Sequence, residues 1–169
     1  MDDTTPTAPK NTETPLPDHG TSRATSVLKT LLYGLLIVGL LSGVMFMRTR
    51  PAPTPEVFRQ DLSVTDAIDL ASESDRPLLA VITADWCAPC QSYKRGALAS
   101  EEVQTWIAEN TIAVMFNADT MSRSDAMLLN FAGSIPATAM VIDGRVVGQF
   151  EGTTNSGALM NWMKASTDG

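Results

Sequence analysis

Leu78-Leu79-Ala80-Val81-Ile82-Thr83-Ala84-Asp85-Trp86-Cys87-Ala88-Pro89-Cys90 packs a strand, a turn and a helix start into one short segment. The apolar run Leu78–Thr83 has the length of a buried strand, and the stretch from Gln91 is compatible with a helix. Cys87 and Cys90 are the only cysteines in the sequence. A helix starting near Cys87 places the first thiol over the unpaired backbone N–H groups of its opening turn. The positive end of the helix dipole there favours the thiolate, which is the reactive species. Cys90 lies one turn deeper, close enough to close a small disulfide or to resolve a mixed one. A zinc site needs four ligands, yet there is no second cysteine pair, and the one histidine, His19, sits in a distant polar tail. A purely structural disulfide over so short a span adds little stability. The pattern points to redox chemistry with no metal and no cofactor beyond the Cys87–Cys90 pair.

Ala84-Asp85-Trp86-Cys87-Ala88-Pro89-Cys90 resembles the thioredoxin active-site motif, in which an aromatic residue precedes the first cysteine. Downstream, Gly133-Ser134-Ile135-Pro136-Ala137-Thr138 is similar to the region that carries the cis-proline of thioredoxin folds. The resemblance runs from about Leu62 to the end and is nearest to the carboxy-terminal thioredoxin-like domain of DsbD-type thiol:disulfide interchange proteins. It implies that Cys87 is the attacking nucleophile and Cys90 the buried resolving thiol. Trp86, Ala88, Pro89, Ile135 and Pro136 would form the shell that receives a cysteine-bearing peptide, with Pro136 in the cis form. Read from the residues alone, Pro136 can equally just open the strand Ala137–Asp143.

Two positions depart from the family pattern. Thioredoxins hold a buried acid six residues before the first cysteine, where this chain has Val81. Lys94 stands where the DsbD-type domain often has an acid. Asp85 is then the nearest candidate for proton transfer at Cys90, and it reads equally well as an exposed loop acid.

Composition divides the rest of the chain. Residues 1–26 are rich in Thr, Pro and Ser and read as a disordered polar tail. Residues 27–47 contain an uncharged run from Thr30 to Met47, flanked by Lys29 and Arg48. Eighteen helical residues reach roughly 27 Å, about the hydrocarbon thickness of a bilayer, so a membrane anchor is expected. A cleaved signal peptide is the alternative. Residues 48–60 hold Pro51, Pro53 and Pro55 and read as a stiff linker, whose Arg48–Glu56 part would extend on the order of 25 Å.

Residues 61–169 are one domain's worth of chain. A helix start at Ser63-Val64-Thr65-Asp66 precedes the strand Leu78–Thr83, and the cysteine helix runs to about Ala99. A helix reopens at Ser100, and Thr111–Asn117 is a second strand. Ser124–Phe131 is a helix stopped near Gly133, and Ala137–Asp143 with Arg145–Phe150 forms a hairpin around Gly144. Asn155–Lys164 closes the chain as a helix. The order predicts an α/β thioredoxin fold, a mixed central sheet flanked by helices, preceded by a single transmembrane helix. The methionines and Trp106 and Trp162 read as packing rather than as a copper patch.

With 12 basic and 19 acidic residues the chain is acidic, which argues against nucleic acid as a partner. Charge around the anchor does not set its orientation. A cytosol rich in soluble thioredoxin gains little from a tethered copy, whereas an oxidising compartment needs reductant delivered at its membrane. The expectation is a single-pass protein of the bacterial inner membrane with its carboxy-terminal domain in the periplasm. Ala88-Pro89 supplies no charge and Pro89 no N–H to stabilise a thiolate strongly, so the pair reads as reducing. The expected activity is protein-disulfide reduction on disulfide-bearing protein substrates, recharged by a separate transmembrane electron donor. The alternatives are a thioredoxin-like reductant of cytochrome c maturation and a non-catalytic thioredoxin-fold adaptor.

Overall fold

The computed structural model describes residues 22–168. The chain divides into two compact units, one up to Arg50 and one from Pro51 onward. The first contains α1, Ser22–Thr49. Its Val27–Phe46 stretch has a mean hydropathy of 2.0 with none of its residues buried, and it is long and apolar enough to cross a membrane. Residues 1–21 of the expected polar tail lie outside the described residues. From Ser22 the chain is already helical, because neither Pro nor Gly interrupts it between Gly20 and Gly34.

The second unit is built on four strands: β1 Leu78–Thr83, β2 Ile112–Asn117, β3 Ala137–Ile142 and β4 Arg145–Glu151. Their order across the sheet is β2-β1-β3-β4. β1 pairs in parallel with β2 and antiparallel with β3, which pairs antiparallel with β4. Every residue of β1 is buried, which is why that strand reads as an unbroken apolar run without alternation. Leu79 and Val81 point to one face, and Leu78, Ala80 and Ile82 to the other.

Against the Leu79 face pack α3 Ala88–Arg95, α4 Glu101–Asn110 and α6 Ser156–Thr167, through Tyr93, Ile107, Leu159 and Met163. α2 Val64–Glu73 covers the other face with Val64, Ala67 and Ala71, followed by the short α5, Arg123–Leu128. The sheet between helical layers is the expected fold. Met115 and Met140 are core residues, and Trp106 and Trp162 pack against the same cluster. Trp162 meets Phe150 edge-on at 4.9 Å between ring centroids.

Local chemistry sets the element ends. Ser63 Oγ accepts the Asp66 N–H and donates to its carboxylate, capping α2 as its sequence signature predicts. Asn155 caps α6 by accepting the Ala158 N–H at Oδ1. Asp143 and Gly144 both take positive φ, 50° and 71°, the backbone of a tight two-residue hairpin turn. The cysteine helix ends at Arg95, not near Ala99, because Gly96 leaves helical geometry and a 3-10 turn, Ala97–Ala99, follows. α5 stops at Leu128 rather than at Phe131. Asn130 takes positive φ, and the Phe131 N–H returns to the Ala126 carbonyl at 2.8 Å, a left-handed stop set by Asn130 rather than by Gly133.

Arg48 and Thr49 of the expected Pro-rich linker belong to α1, and from Ala52 the linker docks on the domain through some of its residues while Pro51, Pro53 and Glu56 stay exposed. Ala52 is buried, Thr54 Oγ1 lies 3.6 Å from Met115 Sδ, and Phe58 inserts into the core. Arg59 adds a bridge along the edge of β2, donating its N–H to Ala113 and accepting from Met115. A proline-stiffened segment loses little entropy on docking, so a few contacts suffice to hold it.

Between α3 and the sheet, the Tyr93 hydroxyl meets Thr138 Oγ1 at 3.3 Å, both residues being buried. Burial pushes the Tyr93 phenol up to about 12. Its folded value lies above its unfolded one, so the associated stability is intact below pH ~10 and is lost as the pH rises towards 12. Thermal melts between pH 9 and 12 should show this loss, and in Tyr93→Phe its alkaline part should shrink by about 2 kcal/mol.

Candidate active site

The chain brings the sequence-predicted residues together at one end of the sheet. β1 ends at Thr83 and a turn follows in which the Cys87 N–H donates to the Ala84 carbonyl at 3.2 Å. Cys87 is the N-cap residue of α3, and its sulfur accepts the Cys90 backbone N–H at 3.2 Å. Pro89 sits in the first turn, where a missing N–H costs nothing. The first sulfur therefore occupies the position the sequence reading assigned to it, at the positive end of the helix. Cys87 and Cys90 form a disulfide with their Cα atoms 5.2 Å apart. Cys90 is fully buried and Cys87 nearly so, while Ala88 and Pro89 between them are exposed.

Ile135 and Pro136 reach this end from β3. Ile82 pairs with Ala137 in the β1–β3 ladder, so the residues just before Ala137 face those just after Ile82. The Ile135–Pro136 peptide bond is cis. The Cys87 sulfur lies 3.8 Å from the Ile135 carbonyl oxygen, and Ile135 packs against the small apolar cluster of Ala84, Cys87 and Cys90. Pro136 is buried and Ile135 half-buried.

Trp86 stands beside the disulfide, 71% exposed. Its indole N–H points at both carboxylate oxygens of Asp119, each at 3.0 Å. No local sequence pattern reveals this partner, because Asp119 is 33 positions away and reaches the site only through the pairing of β2 with β1. The Asp85 carboxylate is exposed, and its nearest ionic partner is the Lys94 ammonium at 3.9 Å, with Lys94 itself buried. The two line a cavity of about 220 Å³ together with Thr83 and Asn117. Val81, where thioredoxins carry their buried acid, lies wholly inside the apolar core.

Gln91 was not singled out in the sequence. It is buried, donates from Nε2 to the Ala84 and Asp85 carbonyls at 3.1 Å each, and accepts the Ala52 N–H at Oε1. Its position four residues after Cys87 places both on one helix face, the one signal that marks it.

Residues 59–142 match the family model described as thioredoxin-like, which places this domain in the thioredoxin-like superfamily. No curated protein sequence matches the chain. Among solved structures it is similar to a thioredoxin from Thermus thermophilus, with a TM-score of 0.54 and 14% identity over 61% of this chain and 82% of that one. The DsbH oxidoreductase gives a TM-score of 0.54 and 14% identity over 70% and 88% of the two chains. Deadhead, a germline thioredoxin from Drosophila melanogaster, gives 0.52 and 15% over 64% and 98%. At these identities the likeness is one of fold. That fold and the Cys87–Cys90 disulfide at a helix start together define a thioredoxin-like oxidoreductase scaffold.

Asp119 can be tested directly. In Asp119→Ala the Trp86 indole N–H loses a charge-assisted bond. Its exchange with solvent, followed by NMR, should speed up by about fivefold, and global stability should fall by no more than about 1 kcal/mol for so exposed a pair.

Proposed function

We propose that this protein is a membrane-anchored thiol:disulfide oxidoreductase of the DsbD-like type that reduces disulfides in other proteins. The observation that carries this reading is the Cys87-Ala88-Pro89-Cys90 disulfide at the start of α3, with no charged group between the cysteines. In the reduced protein the Cys87 thiolate attacks a substrate disulfide, forming a Cys87–substrate disulfide and expelling one substrate thiolate. The Cys90 thiolate then attacks the Cys87 sulfur, forming the Cys87–Cys90 disulfide and releasing the second substrate thiolate. Two electrons pass to the substrate, and its two thiolates take up protons. Asp85 is the nearest carboxylate in sequence to carry the Cys90 proton, with water as the alternative acceptor. Trp86, Ala88, Pro89, Ile135 and Pro136 form the surface against which the substrate peptide lies. A separate transmembrane dithiol donor returns the electrons, since α1 contains no cysteine.

On this reading Val27–Phe46 is a retained single-pass anchor in a bacterial inner membrane, with the domain in the periplasm. Cysteine-accessibility labelling should find the carboxy terminus on the periplasmic side, and a cytoplasmic carboxy terminus overturns that placement. Full burial of Val81, which leaves the resolving thiol without the customary acid, favours a second reading as a non-catalytic adaptor.

The reduction potential of the Cys87–Cys90 pair tests the direction of electron flow. A value near or below about −220 mV is expected, and one near about −120 mV would make the protein a disulfide donor instead. Cys90→Ser separates enzyme from adaptor: mixed disulfides through Cys87 should accumulate in cells, and their absence supports the adaptor. Loss of c-type cytochromes on deletion of the gene would assign the reductase to cytochrome c maturation.

A further inference from the structure

The Gln91 side chain joins two segments that are otherwise remote in sequence. On one side are Ala84 and Asp85, the first half of the turn that carries Trp86 and Cys87. On the other is Ala52, in the proline-rich strap by which the chain enters the domain. The amide orientation follows from its partners: two carbonyl oxygens need donors and one backbone N–H needs an acceptor, so Nε2 faces the turn and Oε1 the strap. Gln91, Ala84 and Ala52 are all buried, which excludes water as an easy replacement for these bonds.

We infer that Gln91 is a positioning residue that latches the Pro51–Glu56 strap to the redox turn, so that the reactivity of Cys87 depends on the strap being docked. The Ala84 carbonyl that Gln91 holds also accepts the Cys87 N–H, and Cys87 in turn must stay at the N-cap for its sulfur to receive the Cys90 N–H. Loosening the turn releases the sulfur from that N–H and from the helix end, and the thiolate loses its stabilisation. The charged groups nearest the turn are Asp85 and Lys94, paired at 3.9 Å, and Asp119 on the Trp86 indole. None of the substitutions below alters them.

This inference rests on Cys87 being the reactive thiol of the proposed reductase, but its test needs no substrate. The reduced full-length protein, in detergent micelles, is alkylated with iodoacetamide across a pH series, and the Cys87 rate is read by mass spectrometry. Gln91→Met keeps the size of the side chain and removes all three bonds. It should lower the Cys87 rate at pH 7 about fivefold and move the midpoint of the pH profile upward. Ala52→Pro replaces the strap's N–H with a ring carbon that cannot donate to Gln91 Oε1, leaves the two Gln91 bonds to the turn in place, and should move the profile in the same direction by a smaller amount. A Gln91→Met protein that folds, melts lower and keeps the wild-type pH profile overturns the inference, since Gln91 then only stabilises the fold. If Gln91→Met shifts the profile and Ala52→Pro does not, the dependence on the strap is overturned. Should Gln91→Met fail to fold, Ala52→Pro decides: a wild-type profile overturns the inference and a shifted one supports it. A wild-type Cys87 that shows no titrating reactivity would instead count against the reductase reading.

Discussion

The antiparallel register of β3 on β1 is the constraint on which the site depends. Ile82 opposite Ala137 places the end of one strand against the beginning of the other, and the loops on either side of that pair must then meet. One loop carries Trp86 and Cys87, the other Ile135 and Pro136. A slip of one residue would turn every side chain of β3 to the opposite face of the sheet. Thr138 would then leave Tyr93, Met140 would leave the Leu79 core, and the Ile135 carbonyl would no longer lie beside the Cys87 sulfur. Burial of both faces of β1 protects the register, since neither face can be given up to solvent without losing a core.

Within that frame the redox turn is held by hydrogen bonds more than by charge. The sulfur of Cys87 receives one backbone N–H from the helix it caps, and the turn behind it is held by the Gln91 amide. The cysteines share a small apolar cluster with Ala84 and Ile135, and Val81 lies in the core on one face of the sheet. A buried carboxylate there would need a partner or a raised pKa to be tolerated. Here the ionisable groups lie to the side, where Lys94 faces an exposed Asp85 across a cavity of about 220 Å³.

The docked strap changes what the entering chain can do. Ala52 is buried and tied to Gln91, and Phe58 belongs to the core, so the domain's own structure begins well before its first helix. Only Arg50 and Pro51 stand between the last helical residue, Thr49, and Ala52. The prolines limit the conformations that the strap gives up on docking. A segment that composition marks as a spacer thereby becomes a structural part of the domain it leads into.

Much of this was legible in the residues. The Cys-Ala-Pro-Cys spacing, the apolar run before it, the Ser63 cap, the hairpin around Gly144 and the long apolar helix are all local patterns, and each was met in the structure, although the turn also takes in Asp143, which the pattern placed in the strand. Helix ends were less so: Gly96 and Asn130 stop their helices through backbone conformation that competes with a still-favourable apolar pattern. Contacts between segments distant in the chain carried no local signature. Asp119 on Trp86, Thr138 on Tyr93 and Gln91 between Ala52 and Ala84 are decided by strand register and helix placement. Which chemistry sits at the helix start follows from residue type and spacing alone. What holds and surrounds that chemistry follows from packing, because a hydrogen bond across 39 positions exists only once the intervening chain has folded.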